Sequence, residues 1–123
     1  MESVWEVVNR NFPSFVAGIP LSVLCFSTSW APSDKYMYRR LIQLTHNYPM
    51  IRVGYMDVDL EVNFAIVKII GINRVPTVAY FVRGCKKDVL EGPQSLLTLS
   101  NAVKRNLNEA ERIHRLWQRR NSV

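Results

Sequence analysis

The chain has 123 residues, 48% hydrophobic and 21% charged, which suffices for one buried core and excludes a disordered polymer or a disulfide-stapled miniprotein. Sixteen Lys or Arg against ten Asp or Glu leave +6, and from Lys104 onward six basic residues face two glutamates, so +4 of that excess lies in the tail. No run approaches the roughly 18 to 20 apolar residues of a membrane span, and a start carrying Glu2 and Glu6 is unlike a signal or transit peptide, so a soluble intracellular protein, cytoplasmic or organellar, is expected.

In chain order, Val4 to Val8 is apolar and β-branched enough for a first strand. Asn11-Phe12-Pro13 reads as a helix start with Asn11 as the cap, ended by Gly18-Ile19-Pro20. Leu21 to Phe26 is a short apolar run bounded by turn signals, the pattern of a buried strand. Ser33 or Asp34 can cap a helix to about Asn47 whose Met37, Leu41 and Leu44 share a face, and Tyr48-Pro49 stops it. A third strand is expected over Ile51 to Val58, a short helix over Val62 to Ile70 closed by Gly71, and a fourth strand over Thr77 to Val82. Arg83-Gly84 turns into an edge strand, Lys86 to Leu90, and Gly92-Pro93 opens a last helix carrying Leu96, Leu99, Val103 and Leu107. Strands alternating with helices imply a parallel core with helices on both faces, and the closing hairpin adds antiparallel edge strands.

This order resembles the thioredoxin family over about residues 4 to 107. Phe26-Ser27-Thr28-Ser29-Trp30-Ala31-Pro32-Ser33-Asp34-Lys35 aligns without a gap with the family's Phe-x-x-x-Trp-Cys-Gly-Pro-Cys-Lys. Val75-Pro76-Thr77 matches its cis-proline loop, and Phe81 to Gly84 followed by Gly92 matches its last hairpin. The resemblance implies an α/β fold with a central mixed five-stranded sheet, helices on both faces and an extended C-terminal helix. It divides the chain into a domain over 1–107 and a basic amphipathic extension over 108–123.

Carried over position by position, the family's attacking cysteine falls on Ala31 and its resolving cysteine on Asp34. A dithiol oxidoreductase needs a thiolate at a helix start and a second thiolate to release the product. Alanine cannot attack, and an aspartate there suits a helix cap. The family's buried aspartate is Cys25 here, and its lysine partner Tyr55. These departures lead to the expectation of a redox-inactive, non-enzymatic module, a protein-interaction or structural subunit of a larger assembly without cofactor or metal. Trp30, Val75, Pro76 and Thr77 are the candidate peptide groove, since strand addition needs no thiol.

Two other readings stand beside that one. Cys85 is flanked by Arg83, Lys86 and Lys87, a setting that favours a thiolate, and suggests a redox-regulated protein acting through a single thiol by glutathionylation or mixed disulfide. The tail is a candidate partner-docking helix: Ile113, Leu116 and Trp117 share a stripe, with Arg112, Arg115, Arg119 and Arg120 around it. The same arginines suit RNA or a ribosome, although no nucleic-acid motif accompanies them. Cys25 and Cys85 are expected to lie too far apart to bond, and His46 and His114 have no companions at ligand spacing. Asp57 and Asp59 read as caps of a strand end and turn rather than a metal site.

Overall fold

Every residue of β2 (Leu21–Ser27) and β4 (Thr77–Val82) is buried, as central strands covered on both faces require. The computed structural model describes residues 4–28 and 34–121, with the backbone alone at Asp34. The remaining elements are β1 (Val4–Glu6), α1 (Phe12–Val16), α2 (Asp34–Asn47), β3 (Arg52–Asp57), α3 (Phe64–Ile70), β5 (Cys85–Glu91) and α4 (Leu96–Asn121). A single 3-10 turn, Glu61–Asn63, leads into α3. The five strands form one sheet in the order β1-β3-β2-β4-β5. The first three run parallel, and β4 and β5 are antiparallel to their neighbours.

Alternation along the strands divides the core in two. Leu21, Val23, Cys25, Val53, Val78, Tyr80 and Val82 meet Met37, Leu41 and Leu44 of α2 and Leu99, Ala102, Val103 and Ala110 of α4. On the opposite face Leu24, Phe26, Met56, Ala79 and Phe81 pack with Phe15 of α1 and with Ile66, Val67 and Ile70 of α3. The apolar positions expected on α2 are those it buries. Two buried hydroxyls tie the layers together: Ser22 Oγ donates to the Phe15 carbonyl at 3.0 Å, and the Tyr80 hydroxyl to the Leu99 carbonyl at 2.9 Å, joining β4 to α4. Burial first, and then the charge of Asp88, raises the Tyr80 phenol above its ordinary value and keeps it a neutral donor.

Several local expectations need correction. Asn11 does not cap α1 with its side chain; its Oδ1 accepts the Val8 amide at 2.7 Å and its Nδ2 donates to the Glu6 carbonyl at 3.0 Å. It closes the exit from β1, which stops at Glu6 rather than Val8. The C-terminal carbonyls of the five-residue α1 are instead gathered by Arg52, whose Nη1 donates to the carbonyls of Ser14, Phe15 and Ala17 at 2.8 to 3.0 Å. The last helix begins at Leu96, three residues beyond Gly92-Pro93, because Ser95 caps it by accepting the Thr98 amide at 3.1 Å. The edge strand starts at Cys85, directly after the turn. Gly71, at φ 85°, ends α3 in the left-handed conformation expected of a C-terminal glycine.

Candidate functional site

Trp30, Ala31, Pro32 and Ser33 lie outside the described residues. Asp34 opens α2 immediately after them, so the helix start that the family alignment requires is present. The Val75-Pro76 bond is cis, as expected for that loop. Val75 is partly exposed, whereas Thr77 is buried and donates its hydroxyl to the Arg74 carbonyl at 2.6 Å. The Pro76 carbonyl accepts the Gly92 amide at 2.8 Å, so the chain's own hairpin holds the rear of this loop.

The two sulfurs differ sharply in access. Cys25 is fully buried in the middle of β2, between Tyr55 of β3 and Val78 of β4, and Cys85 is exposed; neither is in a disulfide. Cys85 is paired with Val82 across a two-residue turn in which Arg83 has φ 48° and Gly84 φ 85°. Positive φ at both central positions matches the twist of a tight hairpin, and glycine supplies one of them without strain. Arg83 is held in place by its amide on the Pro20 carbonyl at 2.9 Å and its Nε on the Ala110 carbonyl at 3.4 Å.

Residues directly opposite share a sheet face, so Cys85 lies on the side of Val82 and α4. Of its cationic neighbours, Lys86 turns to the opposite side, donating to the Ile70 carbonyl at 2.7 Å near α3, whereas Arg83 bonds to α4 on the side of the sulfur. Cys25 is opposite Val78 and Cys85 opposite Val82, which puts the two cysteines about four residues and two strand spacings apart. That is roughly 16 Å, far beyond the ~7 Å limit for bridging Cα atoms.

The tail is one unbroken helix. α4 passes through Leu107 without a break; Ala110 is buried and Ile113 packs on the same cluster. Leu116 and Trp117 are 48% and 62% exposed. Arg83, Ile113, His114 and Trp117 border a shallow groove of about 430 Å³. Arg112 and Arg115 pair along the helix with Glu109 and Glu111 at 2.7 and 3.4 Å, and Arg119 and Arg120 occupy the exposed last turn. The side-chain hydrogen bond from Arg112 holds Glu109 below the ordinary carboxylate range. Nearer the sheet, Arg105 Nε donates to Asp88 Oδ2 at 3.1 Å and Asn106 Nδ2 to the same oxygen at 3.2 Å.

Asn63 was not singled out by sequence reasoning. It is fully buried, accepts the Asn9 amide on Oδ1 at 2.9 Å and donates Nδ2 to the Asp57 carbonyl at 2.8 Å. With Asn11 it clamps the exits of β1 and β3 together. An asparagine standing just before an apolar run was the available signal, but its partners lie 54 and 6 residues away. Asp57 and Asp59 form a local turn, Asp57 Oδ1 accepting the Asp59 amide at 2.9 Å.

This strand order, hairpin and cis-proline loop define the thioredoxin fold. A mutant thioredoxin of Halobacterium salinarum superposes with a TM-score of 0.78 at 18% identity, covering 86% of this chain and 91% of its own. Mitochondrial thioredoxin 3 of Saccharomyces cerevisiae, in its oxidized form, superposes with a TM-score of 0.74 at 22% identity over 84% of this chain and 95% of its own. In sequence, a thioredoxin of Griffithsia pacifica is 26% identical over 106 residues, 85% of this chain and 96% of that protein. No family model matches the chain. The chain is thus thioredoxin-like in fold and in sequence.

These relatives overturn the expectation of a redox-inactive, non-catalytic subunit of a larger assembly. The proteins that the chain resembles are thioredoxins, redox proteins, and not structural subunits. The expectation equated the absence of thiols at positions 31 and 34 with the absence of thiol chemistry, although an exposed sulfur remains at Cys85.

Proposed function

We propose that this chain is a thiol-based redox protein that acts through one sulfur, Cys85, by forming mixed disulfides. The observation that carries the reading is the contrast between its two thiols on a thioredoxin-like frame: one sealed in the core, the other exposed at a rigid hairpin. In the exchange, the Cys85 thiolate attacks one sulfur of a disulfide, the S–S bond breaks, and the departing thiolate takes up a proton. The product is a mixed disulfide between Cys85 and half of the partner, and a second thiol of the glutathione class reverses the step. Cys25 is too distant to resolve it, so the exchange modifies this chain stoichiometrically rather than turning over a disulfide substrate.

The partners are a low-molecular-weight disulfide of the glutathione class or a disulfide-bearing protein. Thioredoxins of this fold have been solved with ferredoxin:thioredoxin reductase and in work on a peroxiredoxin resolved through glutathione and thioredoxin systems. Two cysteines outside any disulfide suit a reducing intracellular compartment, and no described helix is long and apolar enough to cross a membrane. The test is incubation with glutathione disulfide followed by intact-mass measurement on the parent, Cys85→Ser and Cys25→Ala chains. One glutathionyl adduct on the parent and on Cys25→Ala, and none on Cys85→Ser, is expected. An unmodified parent, or an adduct that persists in folded Cys85→Ser, overturns the reading.

A further inference from the structure

At the edge of the sheet away from Cys85, the carboxyl ends of β1 and β3 and the first turns of α2 enclose a cleft of about 270 Å³ whose lining includes Glu6, Val8, Tyr38, Tyr55, Asp57 and Leu60. Glu6 stands opposite Tyr55 in the parallel register, so strand pairing sets a carboxylate beside a phenol. The Tyr38 ring, from α2, meets the Tyr55 ring nearly at a right angle, with centroids 6.4 Å apart and planes at 84°. Two perpendicular aromatic walls thus stand next to two acids, Glu6 and Asp57.

The charge of this corner runs against that of the molecule. The chain carries +6, yet the described residues that line the cleft include no lysine or arginine. Among the described residues neither Glu6 nor Asp57 forms an ion pair; the pairs there engage Asp88, Glu109 and Glu111. The walls are also held in place. Asn11 fixes the Glu6 and Val8 backbone, and Asn63 fixes the Asp57 carbonyl, through bonds of 2.7 to 3.0 Å. A corner clamped from behind loses little freedom when it is filled.

We propose that this cleft binds a small organic cation, an alkylated ammonium head group. Such a cation is attracted to aromatic faces and to carboxylates and is weakly hydrated, which suits a half-apolar corner. A metal ion suits it less: a hard divalent cation takes six or more oxygen ligands, and the described residues contain no group of three or more His, Cys, Asp or Glu placed to hold one. The volume is just below the ~300 Å³ at which ordinary small-molecule pockets begin, so the head group enters and any longer tail remains outside. A free amine and a methylated lysine side chain share this chemistry.

The test is a heteronuclear NMR titration of the full chain with choline, with its neutral carbon isostere, and with a trimethyllysine peptide flanked by glycines. Saturable shifts confined to the neighbourhood of Glu6, Tyr38, Tyr55 and Asp57 are expected, with choline bound about three- to thirtyfold tighter than the isostere. Asp57→Asn lowers choline affinity and leaves the isostere unchanged, while Tyr38→Phe, which keeps the ring, retains binding that Tyr38→Ala loses. The peptide binding more tightly than choline identifies a protein side chain as the ligand, and the reverse order identifies a free amine. Equal binding of choline and isostere, absence of saturable shifts at these residues, or calcium displacing choline from them overturns the proposal. The ligand comparison in the unaltered chain decides the matter even if a variant fails to fold.

Discussion

Gly54 is the position at which one added methyl group is most informative. It lies in β3 between Trp5 of β1 and Leu24 of β2, and a Cβ built there meets Val7 Cγ2 at 2.6 Å and Phe15 Cε1 and Cζ at 2.7 and 2.8 Å. Carbon atoms pack comfortably at about 3.5 to 4.0 Å, so all three contacts are short by roughly 1 Å. Neither neighbour can retreat into solvent. Val7 is 1% and Phe15 0% exposed, and the Phe15 ring is set edge-on against Trp5 with centroids 5.6 Å apart.

Overpacking of this kind costs about 1 to 3 kcal/mol, and three simultaneous clashes put Gly54→Ala near the upper end, at about 3. Gly54 is not among the positive-φ positions, so alanine recovers about 0.4 to 1 kcal/mol by restricting the unfolded chain. The net loss is about 2 kcal/mol. For a domain of this size that corresponds to a Tm lower by roughly 8 °C. Urea and thermal unfolding followed by circular dichroism read both quantities. Adding Val7→Ala removes the nearest clashing carbon, so the double variant should be less destabilised than the sum of the singles by about 1 kcal/mol. A Gly54→Ala chain melting within about 2 °C of the parent, or strictly additive effects, refutes the packing argument.

Three further outcomes follow from named contacts. Asn63→Ala leaves the Asn9 amide without its partner and the Asp57 carbonyl with only the long bond from the Leu60 amide, which costs about 1 to 3 kcal/mol and should be visible in urea unfolding together with line broadening at Glu6 and Asp57 in NMR spectra. Ser95→Ala removes the cap of α4 at a cost of about 1 kcal/mol, while Ser95→Asp retains most of it. The third concerns pH. Glu109 is held below its ordinary value by Arg112, so the folded helix favours the ionised form; this support is present above the unfolded pKa and is lost as pH falls through the lower, folded one. Amide exchange between Glu109 and Arg115 should therefore accelerate in acid before the core residues Leu99 and Val103 lose protection, and 1 M salt should reproduce part of the effect.

Much of the fold was legible because local signals agreed with tertiary demands. Met37, Leu41 and Leu44 repeat at helical spacing and are all buried, Gly71 ends α3, and Arg83-Gly84 turns the hairpin. Legibility failed where one side chain had a choice of backbone partners. Asn11 is as good a helix cap as it is a clamp on β1, and only the position of the Glu6 carbonyl decides between them. Ser95 competes with Gly92-Pro93 as a start signal and prevails because its hydroxyl reaches the Thr98 amide. The cleft between Glu6, Tyr38 and Tyr55 was illegible for another reason: its walls come from three segments that only parallel strand pairing brings together. The functional reading failed because it took the empty positions Ala31 and Asp34 as the end of thiol chemistry, which the thioredoxin relatives contradict.

The most direct test of the central claim is to map glutathione adducts by mass spectrometry after exposing the native chain and the urea-unfolded chain to the same glutathione redox buffer. The account predicts modification of Cys85 alone in the native chain and of both Cys25 and Cys85 once the core is opened. Native-state modification at Cys25, or a native Cys85 that resists exchange while the unfolded chain reacts there, would contradict it.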